Sequence, residues 1–168
     1  PVTVRNGRGR VVTGVARSKF HLSVDGYNVP IHDLHLETDL PISLGFIVDT
    51  SGSMAETLPT VQRVVMGFLR DLLRPRDRAF IEVFSDRPEL LASFTADFGT
   101  LEHALLALFP DRATALYDSV IMGLFQFSGV RGRKAMVVLT DGEDTASKND
   151  FESVVGYAQR AGVTIYTI

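Results

Sequence analysis

The sequence predicts an α/β domain built on a doubly wound, mostly parallel sheet, preceded by a small β-hairpin appendage. Three observations predict it. Segments such as Leu44–Val48 and Ala135–Leu139 are apolar throughout, as strands are when both faces of a sheet are covered. They alternate with helical stretches rather than following one another in hairpins. The chain is 168 residues long and 45% hydrophobic, enough to bury roughly 70% of its unfolded surface around one core.

Residues 1–39 form the predicted appendage. Asn6-Gly7 and Asp25-Gly26 are two-residue hairpin signals. A turn at Asp25-Gly26 sets Val24 against Tyr27, Leu22 against Val29 and Phe20 against Ile31, putting six apolar side chains on one face. So small a sheet does not support itself, so this face is expected to dock on the larger domain. Asp39-Leu40-Pro41 marks the join, and residues 40–168 form the main domain.

Within it, the strand Leu44–Val48 leads to a helix with Pro59 in its first turn and Val61, Val64, Val65, Phe68, Leu69 and Leu72 at helical spacing. That helix ends before Pro75. Ala79–Phe84 and Leu90–Phe94 are predicted strands, and the few residues between them are too short for a parallel crossover, so the pair is expected to be antiparallel. A helix over Thr100–Phe109 follows, then a loop from Pro110 to Thr114. Ala115–Phe127 is apolar on nearly every side and reads as a buried helix, with Phe125 and Phe127 in the core. After the strand Ala135–Leu139, Asn149 or Asp150 caps a helix that stops at Gly162, and Val163–Ile168 is the last strand.

This order of ups and downs brings distant residues together. With the carboxyl end of Leu44–Val48 taken as the top, the single antiparallel strand makes the next helix rise and delivers Thr114 to the top. Ala135–Leu139 then leaves Asp141 there too. Asp49, Ser51, Ser53, Thr114 and Asp141 thus share the edge where open α/β sheets bind ligands.

Five hydroxyl or carboxylate oxygens, with no thiolate or imidazole, make a hard donor set suited to Mg²⁺, Mn²⁺ or Ca²⁺, and Mg²⁺ or Mn²⁺ fits best. An octahedron incompletely filled by protein keeps room for water or an outside carboxylate. Other readings of these residues are simpler. Ser53-Met54-Ala55-Glu56 has the form of a capping box, and Asp118 reads as a local hydrogen-bonding residue. Glu143 and Asp144 read as solvated rim charges, and Glu82 as a carboxylate that needs a partner or an edge position. His32 and His35, beside Asp33, Glu37 and Asp39, fall on opposite faces of an extended segment and do not suggest a second metal site.

Bulk properties narrow the partners. A net charge of -3 with scattered Lys and Arg provides no footprint for nucleic acid. No apolar run approaches the roughly 20 residues of a membrane span. With no cysteine, thiolate metal sites and cysteine nucleophiles are excluded, but either side of a membrane fits.

Asp49-Thr50-Ser51-Gly52-Ser53 matches the Asp-x-Ser-x-Ser motif of von Willebrand factor type A domains. Thr114 in Thr114-Ala115-Leu116-Tyr117-Asp118 resembles their loop threonine, and Thr140-Asp141-Gly142 their second aspartate. Together these resemble a metal-ion-dependent adhesion site over roughly Leu40 to Ile168. Phe20 to Ile31, leading into Leu40-Pro41-Ile42-Ser43-Leu44-Gly45, is similar to a bacterial subgroup of the family. Arg112-Ala113 departs from the glycine-rich loop common in those relatives.

The resemblance implies six core strands in the order 3-2-1-4-5-6, with a helix, a strand and a terminal helix beyond Ile168. It also implies a non-catalytic, extracytoplasmic module that binds an Asp or Glu of a protein partner through the metal. Two alternatives stand beside it: a metal-dependent hydrolase or phosphotransferase using Asp49 or Ser51 as nucleophile, and a cytoplasmic subunit that docks on an ATPase. The first lacks a Gly-x-Ser-x-Gly elbow, a phosphate-binding glycine loop and a histidine placed to act as base.

Overall fold

The computed structural model describes residues 2–34, 40–110 and 113–168. The chain divides into two compact units, Pro1–Leu40 and Pro41–Ile168. His35, Glu37, Asp39 and Arg112 lie outside the described residues.

In the first unit, β1 (Leu22–Val24) and β2 (Tyr27–Val29) pair antiparallel, Leu22 opposite Val29 and Val24 opposite Tyr27. The turn between them needs two positive φ angles, which Asp25 (51°) and Gly26 (83°) supply. All six strand residues are exposed. The turn expected at Asn6-Gly7 is wider than two residues. Asn6 N–H donates to Arg10 O at 2.9 Å, Gly9 takes the positive φ, and Arg5 bridges to Val11.

The second unit is a five-stranded sheet in the order β5-β4-β3-β6-β7. Its strands are β3 (Ile42–Asp49), β4 (Arg78–Phe84), β5 (Pro88–Thr95), β6 (Arg133–Leu139) and β7 (Thr164–Thr167). All neighbours are parallel except β4 and β5, as the short connection between them requires. Counted in chain order, this is 3-2-1-4-5 about a central β3.

Side chains alternating along β3 enter two cores. Leu44, Phe46 and Val48 pack with Val65 and Leu69 of α1 (Leu58–Leu72) and Leu101 and Leu105 of α2 (Phe98–Leu106). Ile47 packs on the other face with Val120, Ile121 and Leu124 of α3 (Leu116–Gln126) and Val154 of α4 (Phe151–Ala161). Coverage on both faces is why the strands read as uninterrupted apolar runs. Two glycines let these layers approach. A Cβ on Gly45 would stand 2.4 Å from the Phe80 ring, and one on Gly123 would stand 2.5 Å from Ile47 Cδ1.

Three expectations need correction. The second helix begins at Phe98, not Thr100, because Asp97 accepts from Thr100 N–H at 2.9 Å and caps it. It ends at Leu106, leaving Phe109 72% exposed. Phe125 is not core: it is 55% exposed and meets the Tyr157 ring edge-on, while Phe127 is buried against Phe80 and Phe94. The α3 helix, apolar on nearly every side, is therefore not buried throughout, with Met122 also exposed.

Glu82 sits mid-strand in β4 between Phe80 and Phe84, beside Ile47 of β3 and Leu90 of β5. It is fully buried, and neither carboxylate oxygen has a hydrogen-bond partner among the described residues. Burial pushes its pKa up to about 8, so it sits protonated in the fold at neutral pH.

Candidate metal centre

The carboxyl ends of β3 and β6 meet where the sheet winds away in both directions, and there the backbone stops pairing and side chains take over. Val48, opposite Leu139, is the last residue paired between these strands. Asp49 follows with 0% exposure; its Oδ1 accepts from Ser51 N–H at 2.7 Å and its Oδ2 accepts from the Thr140 hydroxyl. Thr50 faces away from this cluster: its N–H and hydroxyl both donate to Phe84 O, at 2.8 and 2.9 Å. That pair of bonds pins the start of the loop to the end of β4.

A short 3-10 turn, Gly52–Ala55, then carries Ser53 to Ser51 and Asp141. The Ser51 and Ser53 hydroxyls lie 3.0 Å apart, and Ser53 Oγ donates to Asp141 Oδ1 at 2.9 Å. Ser53 is therefore no helix cap, and α1 begins further on with Pro59 at its second position and no side-chain cap.

Thr114 arrives from the third segment. It is buried, and Ala115 N–H anchors its loop by donating to Ser85 O at 2.7 Å. A Cβ on Gly142 would lie 3.7 Å from Asp49 Oδ2 and 3.8 Å from Thr114 Oγ1, so these oxygens border one small space beside the glycine. Hydrogen bonds thus link Asp49, Ser51, Ser53 and Asp141, and Thr114 Oγ1 and Asp49 Oδ2 both lie close to Gly142.

The 144–149 stretch, absent from the expected site, holds two of these segments together. Thr145 and Ala146 N–H groups donate to Thr114 O at 2.9 and 3.2 Å, and Thr114 N–H donates to Thr145 Oγ1 at 3.3 Å. The first turn of α3 has no cap of its own. Asp144 Oδ1 accepts from Tyr117 N–H at 3.4 Å and Ser147 Oγ from Asp118 N–H at 3.0 Å, supplying caps from across the cleft. In return, the Asp118 carboxylate accepts from Lys148 N–H, Asn149 N–H and the Asn149 amide, at 3.1, 3.0 and 2.8 Å. Burial works to raise the Asp118 pKa, but these bonds and the nearby Lys148 charge outweigh it and hold the carboxyl below its usual range. Glu143 is exposed, as a rim residue should be.

The donor chemistry fits a hard divalent cation. The residues offer two carboxylates and three hydroxyls, and among the described residues no Lys, Arg or His forms an ion pair with Asp49 or Asp141. A buried carboxylate without a cationic partner is costly unless something compensates its charge. No histidine among the described residues belongs to the cluster; His103 lies within α2, and His32 contributes only its carbonyl, to Arg17. No group of three or more His, Asp or Glu side chains is arranged to hold a metal among the described residues, and the site's own donors are two carboxylates with hydroxyls.

A sheet wound both ways from a central strand, with its polar loops gathered at the carboxyl edge, defines a Rossmann-like α/β domain. Residues 43–168 match the von Willebrand factor type A domain, and the chain belongs to that family. Solved structures show the same fold. The conserved hypothetical protein BatB from Bacteroides thetaiotaomicron is 20% identical with a TM-score of 0.66, over 75% of this chain and 65% of that one. A von Willebrand factor type A structure from Catenulispora acidiphila is 17% identical with a TM-score of 0.67, over 77% of this chain and 33% of that one. The type V pili tip protein Mfa5 from Porphyromonas gingivalis, in a structure of its three N-terminal domains, is 21% identical with a TM-score of 0.57, over 68% of this chain and 22% of that one. The chain thus spans less than two thirds of each of these chains. A comparison with curated proteins finds no match.

Proposed function

We propose that the chain is a non-enzymatic protein-binding module that holds Mg²⁺ or Mn²⁺ at Asp49, Ser51, Ser53, Thr114 and Asp141. The observation that carries this reading is the buried Asp49 carboxylate, without an ion pair among the described residues and joined by hydrogen bonds through Ser51 and Ser53 to Asp141. The bound cation would supply an electrophilic centre for a carboxylate of a protein partner. This chain's own residues do the rest. Asp49 and Asp141 balance the divalent charge, and the three neutral hydroxyls complete donor sites without cancelling it further. Thr50 and Thr140 fix the loop and the Asp49 carboxylate in place.

A surface setting follows from the same reading. Mfa5 is a pili tip protein, and another similar structure is described as an aerotolerance-related membrane protein. An extracytoplasmic adhesion or scaffold role agrees with both. No helix among the described residues is long and apolar enough to cross a membrane. Thermal unfolding of the chain with and without Mg²⁺ or Mn²⁺ tests the reading. A cation held by the native state raises the midpoint as its concentration rises, and an unchanged midpoint at millimolar metal defeats the proposal.

A further inference from the structure

We propose that Asp118 is a positioning residue for the metal centre: by clamping the Lys148–Asn149 backbone to the first turn of α3, it fixes Thr114 relative to Asp141. This rests on the metal-binding reading above and names the residue that holds its geometry.

The two loops have no strand pairing to keep them in register. Thr114 precedes α3, whereas Asp141 follows β6, and among the described residues Thr114 is bonded to the far loop through Thr145 and Ala146. Those bonds depend on where the 144–149 stretch lies, and that stretch has no helix or strand of its own to define it. Asp118 defines it. One carboxylate takes three N–H donors from two consecutive residues, while its own N–H donates to Ser147 Oγ of the same stretch. A side chain with both oxygens engaged in this way sets distance and angle together, which a single bond does not. Asp118 touches none of the five proposed ligands through these bonds, so its effect passes through the Thr114 contacts.

The experiment compares Mn²⁺ affinity, measured by calorimetry well below the melting temperature, for the wild-type chain, Asp118→Ala and Asp97→Ala. Asp97 caps α2 with bonds of the same kind, but it follows the antiparallel β5 and so stands at the opposite end of the sheet. Both variants lose a hydrogen-bonding carboxylate. At least a tenfold loss of Mn²⁺ affinity is expected for Asp118→Ala, with Asp97→Ala staying within twofold of wild type. Equal affinity in all three overturns the positioning role and leaves the metal reading intact, as does an equal loss in both variants. A wild-type chain that takes up no Mn²⁺ overturns both. If Asp118→Ala does not fold, Asn149→Ala carries the test, because it removes the 2.8 Å side-chain bond and keeps both backbone bonds. A smaller loss in the same direction is expected there, and wild-type affinity counts against the proposal.

Discussion

Replacing Glu82 by glutamine should flatten the pH dependence of stability between pH 5 and 8. Glu82 is fully buried without a hydrogen-bond partner among the described residues, and its pKa rises from 4.5 to about 8 on folding. Because the folded-state pKa is raised, the stability linked to its proton is fully present below pH 4.5 and is lost as pH rises through about 8. In that window the unfolded chain releases the proton while the folded chain keeps it. The slope is about 1.4 kcal/mol per pH unit, so roughly 5 kcal/mol separates the two ends of the window. That is comparable to the entire stability of many domains, roughly 5–15 kcal/mol.

The lowered pKa values of Asp97, Asp118 and Asp150 do not interfere. Their contributions are present above the unfolded value of 3.8 and are lost only as pH falls below it, so they are constant from pH 5 upward. Urea unfolding at pH 5, 6, 7 and 8 in EDTA measures the effect. Wild type should lose stability at each step, and Glu82→Gln should not. Parallel curves for the two proteins would refute the assignment of the buried proton to Glu82.

Further perturbations test other parts of the fold. Asp49→Ala should abolish Mg²⁺ and Mn²⁺ binding while circular dichroism still reports a folded α/β domain. Gly45→Ala should destabilise by roughly 1–3 kcal/mol in urea titration, because a Cβ 2.4 Å from the Phe80 ring forces that ring to move within a packed core. Gly162 ends α4 at φ 60°, where L side chains are strained. Gly162→Ala should therefore lower stability by about 1 kcal/mol, seen as a shifted urea midpoint at unchanged slope.

Much of the fold is legible because the central strands β3 and β6 are largely apolar on both faces and the connection after β4 is too short for a parallel crossover. The antiparallel β5 follows from the short gap after Phe84, and the placement of Thr114 and Asp141 follows from β5 in turn. The second helix was displaced because Leu108 continues its apolar spacing after the backbone has left the helix, while the true start lay in a cap signal, Asp97 to Thr100. Phe125 escaped for another reason: an apolar residue on a helix shows what can be buried, and only its neighbours in space decide whether it is. Within the site, the ligand-type residues stand out by motif. Asp144, Ser147 and Asn149 do not, since their partners lie 27–31 residues away. The density of Asp, Thr, Ser and Asn from Thr140 to Asp150 is the one sequence signal that marks them.

The central claim is that one divalent cation is held by oxygens from three loops. Calorimetric titration of Mn²⁺ into the metal-stripped chain, beside Asp49→Ala, tests it most directly. The account predicts one ion per wild-type chain and none in the variant. Equal binding by both proteins, or none by the wild type at millimolar Mn²⁺, would contradict it.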